Sequence, residues 1–223
     1  MIPTLFDGES IYINKLIIGA RIYTDFHFER QELRCIRMPG LRQCRVGDVA
    51  VFNSPLQGNN MGTIRFVINH EFVKRCLGAP GDTIEIRNGV FINPSTLQSR
   101  ELTLGQRRLR ETPDSMISSV SIYSAGQFAH KENEWTIKEL GPYIVPKKGM
   151  TVYLDSLTLE TYYQVIKYEN NVSPTLGESY CFKENWYFFV GDNLLESWDS
   201  RQMGPVPEKF IIGIVKGVKS NNL

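Results

Sequence analysis

Lys74 lies in Phe72-Val73-Lys74-Arg75-Cys76-Leu77, a run that alternates as a β-strand does. A period of two puts its amine on one face with Phe72 and Cys76, while Arg75 shares the other face with Val73 and Leu77. Apolar neighbours disfavour an ammonium, and bringing a lysine from about 10.4 to about 7 takes roughly 4 to 5 kcal/mol of differential destabilisation. An amine tuned in this way is a general base: it takes the proton of a hydroxyl as that oxygen attacks a carbonyl, the work histidine does in the commoner triads. A second polar group, Ser197, Asp199 and Arg201, follows the aromatic run Tyr187-Phe188-Phe189-Val190, which ends at Gly191, where the lack of a side chain lets backbones approach closely. Each group alone also fits a plainer account, a solvated Lys-Arg pair in one case and a polar surface loop in the other. A calcium loop is excluded because the Asp-x-Asn-x-Asp-Gly pattern is missing.

The elements that must hold these residues read as short β-runs separated by Gly and Pro: 10–14, 46–53, 63–69, 71–77, 83–87 and 90–92. Asn88-Gly89 joins the last two and tolerates the two positive φ angles of a type I′ hairpin turn. Lys147 to Leu154 repeats the base-x-Gly-strand shape of Arg45 to Phe52, but two similar strands are too few for a repeat. From Pro94 to about Gly177 the alternation weakens, and this stretch reads as an insertion. One helix is expected in it, after Asp155-Ser156, which can accept hydrogen bonds from a first turn. Leu159, Tyr162, Tyr163 and Ile166 would share its packing face, with Asn170-Asn171 as the stop. The Gln106-Arg107-Arg108-Leu109-Arg110 cluster reads as a solvated loop.

A chain of 223 residues suits one good-sized domain, or one domain with a large insertion. A formal net charge of +1 gives no electrostatic case for a nucleic-acid partner, whose phosphates demand a basic face. No apolar run approaches the roughly 20 residues that span a bilayer, and no signal sequence opens the chain. The four cysteines include no Cys-x-x-Cys pair and the three histidines, His27, His70 and His130, are scattered, so neither a metal nor another cofactor is expected. Cys35 and Cys44 flank the turn sequence Met38-Pro39-Gly40, which leaves open a disulfide between them or two free thiols.

Three boxes stand in order along the chain. They are Met1-Ile2-Pro3-Thr4-Leu5 with Gly8-Glu9, Ile11 and Lys15, then Phe72-Val73-Lys74-Arg75 with Gly78-Ala79-Pro80-Gly81-Asp82-Thr83, and finally Gly191-Asp192-Asn193 with Asp199-Ser200-Arg201, Gly204-Pro205-Val206-Pro207-Glu208 and Ile211-Ile212-Gly213. Together they resemble type I signal peptidase, the bacterial leader peptidases, membrane-tethered serine proteases with a Ser/Lys dyad. The resemblance implies that Lys74 is the general base, that Ser197 orients it, and that Arg75, Asp199 and Arg201 make supporting ion pairs. It gives Met1 and Leu5, with Phe72 and Val73 as further wall, the role of lining a shallow pocket for a small residue at the cleavage site. In that family the nucleophilic serine stands directly before the Met-x-Pro-Thr-Leu segment, a position upstream of Met1, and Ser10 is too far along to replace it. The chain as it stands is therefore expected to be inactive, with serine, part of the oxyanion hole and the membrane anchor all upstream. Leu194-Leu195-Glu196 departs from the family's usual Arg-Asp-Asn, and Gln202-Met203 from its aromatic-Trp pair.

The expected architecture is thus mainly β: a signal-peptidase-like catalytic core from 1–93 and 180–223, interrupted by an α+β cap at 94–179. The expected function is endoproteolytic removal of signal peptides from exported preproteins, with the catalytic domain on the extracytoplasmic (periplasmic) side of the cell membrane. Two rivals share the features. A self-cleaving Ser/Lys repressor lacks support from any DNA-binding segment, and a non-catalytic relative would bind extended peptides along a sheet edge.

Overall fold

The computed structural model describes residues 1–27, 33–55, 64–94, 103–117 and 135–219, and the alternating runs become a mainly β structure. Its largest sheet is antiparallel and six-stranded, in the order β1 (Ser10–Asn14), β13 (Ile211–Lys219), β4 (Val49–Asn53), β5 (Glu71–Gly78), β11 (Trp186–Val190) and β12 (Val206–Pro207). The two ends of the chain therefore meet in one sheet, with β1 pairing β13. β11 is buried along its whole length, and stacking of Phe189 on Phe52, with ring centroids 4.6 Å apart, ties it to β4 across the intervening β5. Burial of aromatic surface on this scale dominates core energetics, and it makes β11 a rigid rail for whatever follows it.

A three-stranded sheet, β7 (Val90–Ile92), β6 (Thr83–Arg87) and β8 (Leu140–Ile144), packs beside the first. Asn88 and Gly89 turn its hairpin with φ angles of 48° and 72°, the two positive angles that a type I′ turn needs. β2 (Arg21–Tyr23) and β3 (Cys35–Arg37) form a small ribbon. The Arg37 guanidinium ties that ribbon to the start of β13 by donating to the carbonyls of Gly19, Glu208, Lys209 and Ile211. β9 (Thr151–Tyr153) and β10 (Ser179–Cys181) make another ribbon.

The described residues also contain three α-helices: α1 (Leu104–Glu111), α2 (Ser156–Asn170) and the single turn α3 (Ser200–Met203). α2 has the expected bounds to within one residue at each end. Asp155 caps it by accepting from Thr158 N at 2.7 Å, and Asn171 ends it at φ 56°. α1 replaces the solvated loop expected at 106–110. Thr103 and Gln106 form a reciprocal capping box there, and Leu109 is fully buried. No strand forms at 64–69 either, and Thr63 lies outside the described residues. Ile64 and Phe66 are buried in alternation as the period of two demands, but Arg65 N donates to Pro55 O instead of joining a ladder. Cys35 and Cys44 are free thiols. The Cys44 thiol lies against Cys76, and that contact, with burial, pushes the Cys76 proton affinity up. No helix among the described residues is long and apolar enough to cross a membrane.

Candidate functional site

The site forms where β5 and β11 run antiparallel, because β11 delivers the 191–201 loop over the middle of β5. On β5 the strand period sends the Lys74 side chain to the Phe72 face, and Nζ stands 5.4 Å from the Phe72 ring centroid. From there the amine donates to Ser197 Oγ at 2.9 Å, a contact between residues 123 apart in sequence. Burial drives the proton affinity of Lys74 below its ordinary value of 10.5, an effect that Asp199 opposes and Arg201 reinforces. A half-buried amine with weakened hold on its proton, aimed at a hydroxyl, is equipped to accept a proton from an attacking oxygen.

Gly191 makes that contact sterically feasible. A β-carbon there would stand 2.1 Å from Ser197 Oγ and 3.3 Å from Lys74 Nζ. Asp199 sets the loop around it: its carboxylate accepts from Gly191 N at 3.0 Å, caps α3 through Arg201 N at 3.1 Å, and takes both Nε and an Nη of Arg201 at 2.9 Å. Asp199 and Arg201 are both fully buried. Burial pulls the Asp199 carboxyl up, but the Arg201 guanidinium and the Gly191 amide more than offset this and hold it below 3.8.

Arg75, on the opposite face of β5, pairs with Asp192 and not with Asp199. Its Nε donates to Oδ1 at 2.8 Å and an Nη to Oδ2 at 2.7 Å, the bidentate geometry that makes such pairs directional. The supporting ion pairs therefore form two separate units. Asp192 was missed in the sequence, although it sits directly after the glycine that ends the aromatic run. Thr4 was missed as well: its hydroxyl donates to the Asp192 carboxylate and accepts from Arg75 at 3.1 Å, which fastens the opening segment to the same node. Met1 O receives the amides of Thr4 and Leu5, so the first five residues form a turn with Leu5 buried inside it. Of the other two expected wall residues, Phe72 shares the Lys74 face and Val73, as the next residue of a regular strand, takes the opposite one. A cleft of about 150 Å³ opens between this turn, Arg75, Asp192 and the first turn of α1.

The family model for "Signal peptidase, peptidase S26" matches residues 1–218. The chain belongs to the signal peptidase S26 family. Two curated signal peptidase I proteins align along 96% of it: that of Buchnera aphidicola subsp. Baizongia pistaciae at 25% identity over 224 residues, and that of Buchnera aphidicola subsp. Acyrthosiphon pisum at 27% over 226. The chain spans 65% and 63% of their lengths, just under two thirds. A signal peptidase I from Enterococcus faecalis V583, known from a crystal structure, aligns with 78% of this chain and 97% of its own, at 18% identity and a TM-score of 0.38. The S26 match spans the opening turn, β5 and the 191–201 loop, the three segments from which the site is built.

Proposed function

We propose that this chain is the catalytic portion of a signal peptidase I, which removes N-terminal signal peptides from exported preproteins at the extracytoplasmic surface of the membrane. The observation that carries the reading is the Lys74 Nζ to Ser197 Oγ contact of 2.9 Å, made by a lysine whose ammonium form is disfavoured by burial. In the proposed mechanism Lys74 accepts the proton of a serine hydroxyl as its oxygen attacks the scissile carbonyl, and returns it to the leaving amine. Ser197 fixes the direction of the Lys74 amine, Asp199 with Arg201 fixes Ser197's loop, and Arg75 with Asp192 fixes the opening turn. The nucleophile, by the family motif that Met1-Ile2-Pro3-Thr4-Leu5 matches, is a serine bonded directly to Met1 in the parent protein. Met1, Leu5 and Phe72 would line the pocket for the small residue before the cleaved bond. In this reading 1–93 and 180–223 make the catalytic core, 94–179 is an inserted cap, and an apolar segment upstream tethers the whole to the bilayer.

The test extends the chain at its N-terminus with the parent's own preceding residues, serine included, and offers a signal-peptide substrate. Cleavage after a small residue is expected, and Lys74→Met should abolish it while the protein stays folded. Cleavage at the parent rate by the Lys74→Met protein would exclude Lys74 as the base.

A further inference from the structure

Asp192 stands at a three-way junction. Its carboxylate holds Arg75 and Thr4, its neighbour Gly191 faces Ser197 and Lys74, and its backbone carbonyl lies against α1. The approach on the α1 side is as close as that on the Lys74 side. A β-carbon on Gly105, the second residue of α1, would stand 2.3 Å from Asp192 O and 3.2 Å from Leu194 Cγ. Two glycines thus flank the same stretch of backbone, Gly191 within it and Gly105 outside it.

The rest of α1 is anchored firmly enough for its first turn to act as a stop. Leu109 is fully buried beneath the Asn88-Gly89 turn, with its Cγ 3.1 Å from where a Gly89 β-carbon would be. Thr103 and Gln106 close the N-terminal capping box, with Gln106 itself buried. Lys138 grips the far end, donating to Thr112 O at 2.5 Å and pairing with Asp114 at 2.7 Å. α1 is therefore a strut between the β6–β7 hairpin and the 191–195 backbone.

From this we infer that Gly105 is a positioning residue for the Lys74–Ser197 pair, and that the inserted region acts on the active site through α1 by holding Asp192, and hence Gly191, from outside. The inference rests on the reading of Lys74 as general base. A larger residue at 105 must push either α1 or the Asp192 backbone, since the atom it meets is a carbonyl oxygen and not the end of a flexible side chain. Displacing Asp192 away from α1 drives Gly191 into Ser197, levers the Ser197 hydroxyl off Lys74 Nζ and admits water to the amine. The charges facing that amine are those of Asp199, Arg201 and Asp192, and only Asp192 lies directly in the path of the push.

The experiment compares the full chain with Gly105→Val and Gly105→Ala. Lys74 is titrated by NMR of 13C-lysine-labelled protein, with its signal assigned by its loss in Lys74→Met, and folding is verified by circular dichroism. The proton affinity of Lys74 should rise about tenfold or more in Gly105→Val, back toward that of an exposed lysine, and by less in Gly105→Ala. In the serine-extended protein kcat should fall by about tenfold with KM within about twofold of the parent. A helix that merely contributes stability would lower the melting temperature and leave the Lys74 titration where it was. A folded Gly105→Val protein with an unchanged Lys74 titration overturns the inference, and if that variant does not fold, an unchanged titration in Gly105→Ala does so. The titration needs no turnover, so it stands apart from the test of the signal peptidase reading, which fails only if the extended Lys74→Met protein still cleaves.

Discussion

Gly191 and Ser197 approach so closely that a single added methyl on Gly191 would overlap Ser197 Oγ, at 2.1 Å. Gly191 is also the donor to the buried Asp199 carboxylate, so its backbone cannot retreat without breaking a bond in a place where water cannot replace it. Gly191→Ala should therefore move Ser197 and not itself. In the serine-extended protein the expected result is a loss of about 100-fold or more in kcat, the scale of a misplaced general base, with the fold retained. Activity within about twofold of the parent, from a protein with parental circular dichroism, would show that the Lys74–Ser197 contact does not direct the reaction.

Two ionisable groups of the site, Lys74 and Asp199, give stability a pH dependence of opposite origin. The buried Lys74 releases its proton below 10.5, its ordinary value, so between its folded-state value and 10.5 the unfolded chain binds more protons. Folding gains stability as pH rises through that window. Lys74→Met has no such proton, so the parent should close the stability gap to the variant as pH climbs, as read from urea midpoints across the alkaline range. Asp199 acts at the other end: its carboxyl is held below 3.8, so its contribution is whole above 3.8 and is lost as pH falls through the folded-state value. Catalysis by the extended protein should rise with pH over the range in which Lys74 deprotonates.

β1, β6 and β7 were legible to the residue, and α2 to within one residue at each end, because each carries its own local signals. These are alternation in the strands, Asn88-Gly89 in the hairpin, and Asp155 and Asn171 at the helix ends. α1 was obscured by its composition: Arg107, Arg108 and Arg110 face outward, and its packing rests on Gly105, Gln106 and Leu109, of which only Leu109 is apolar enough to register. Thr103 and Gln106, three apart, were the readable sign, since a capping box announces a helix start without an apolar stripe. The 64–69 segment shows the reverse, an alternating pattern that buries Ile64 and Phe66 but whose hydrogen bonds go elsewhere. At the site, the family boxes point to Lys74 and Ser197, and the fold brings these two side chains together at 2.9 Å. The pairing of Arg75 with Asp192 instead of Asp199 was not legible, because it depends on which face of β5 the loop descends, and sheet order is a long-range property.

The Asp199–Arg201 pair is fully buried, and removal of one partner leaves an uncompensated charge in the core. Asp199→Ala should cost about 3 to 5 kcal/mol in chemical denaturation, the usual scale for a broken buried pair. It should also disturb α3, which loses its N-cap. Arg201→Met alone leaves the carboxylate with the Gly191 amide and costs less. The double variant Asp199→Leu, Arg201→Met should be more stable than the sum of the single losses, because two well-packed apolar residues avoid the desolvation that a stranded charge suffers. Simple additivity in that cycle would mean the two side chains do not act as one unit.

Glu169, near the end of α2, performs a similar service for that helix. Its Oε1 accepts from the Trp186 indole at 2.7 Å and Glu184 N at 3.2 Å, and its Oε2 from the Tyr180 hydroxyl and Lys183 N, both at 2.7 Å. Four donors converge on one carboxylate and join α2 to β10, to the turn after it, and to the first residue of β11. An ionised carboxylate is the side chain that accepts at both of its oxygens without presenting a proton. Glu169→Gln keeps the shape but places an NH2 against two of those donors, so about 1 kcal/mol of stability should be lost, the scale of an ordinary hydrogen bond at a partly exposed site. Trp186 begins β11, the strand that leads to Gly191, and so this loss should also reach the site. The expected outcome is a lowered denaturation midpoint with a changed Trp fluorescence maximum, and a fall in kcat in the serine-extended protein. A Glu169→Gln protein that unfolds at the parent midpoint would mean that these four contacts contribute nothing net, and that α2 is held to β11 by apolar packing alone.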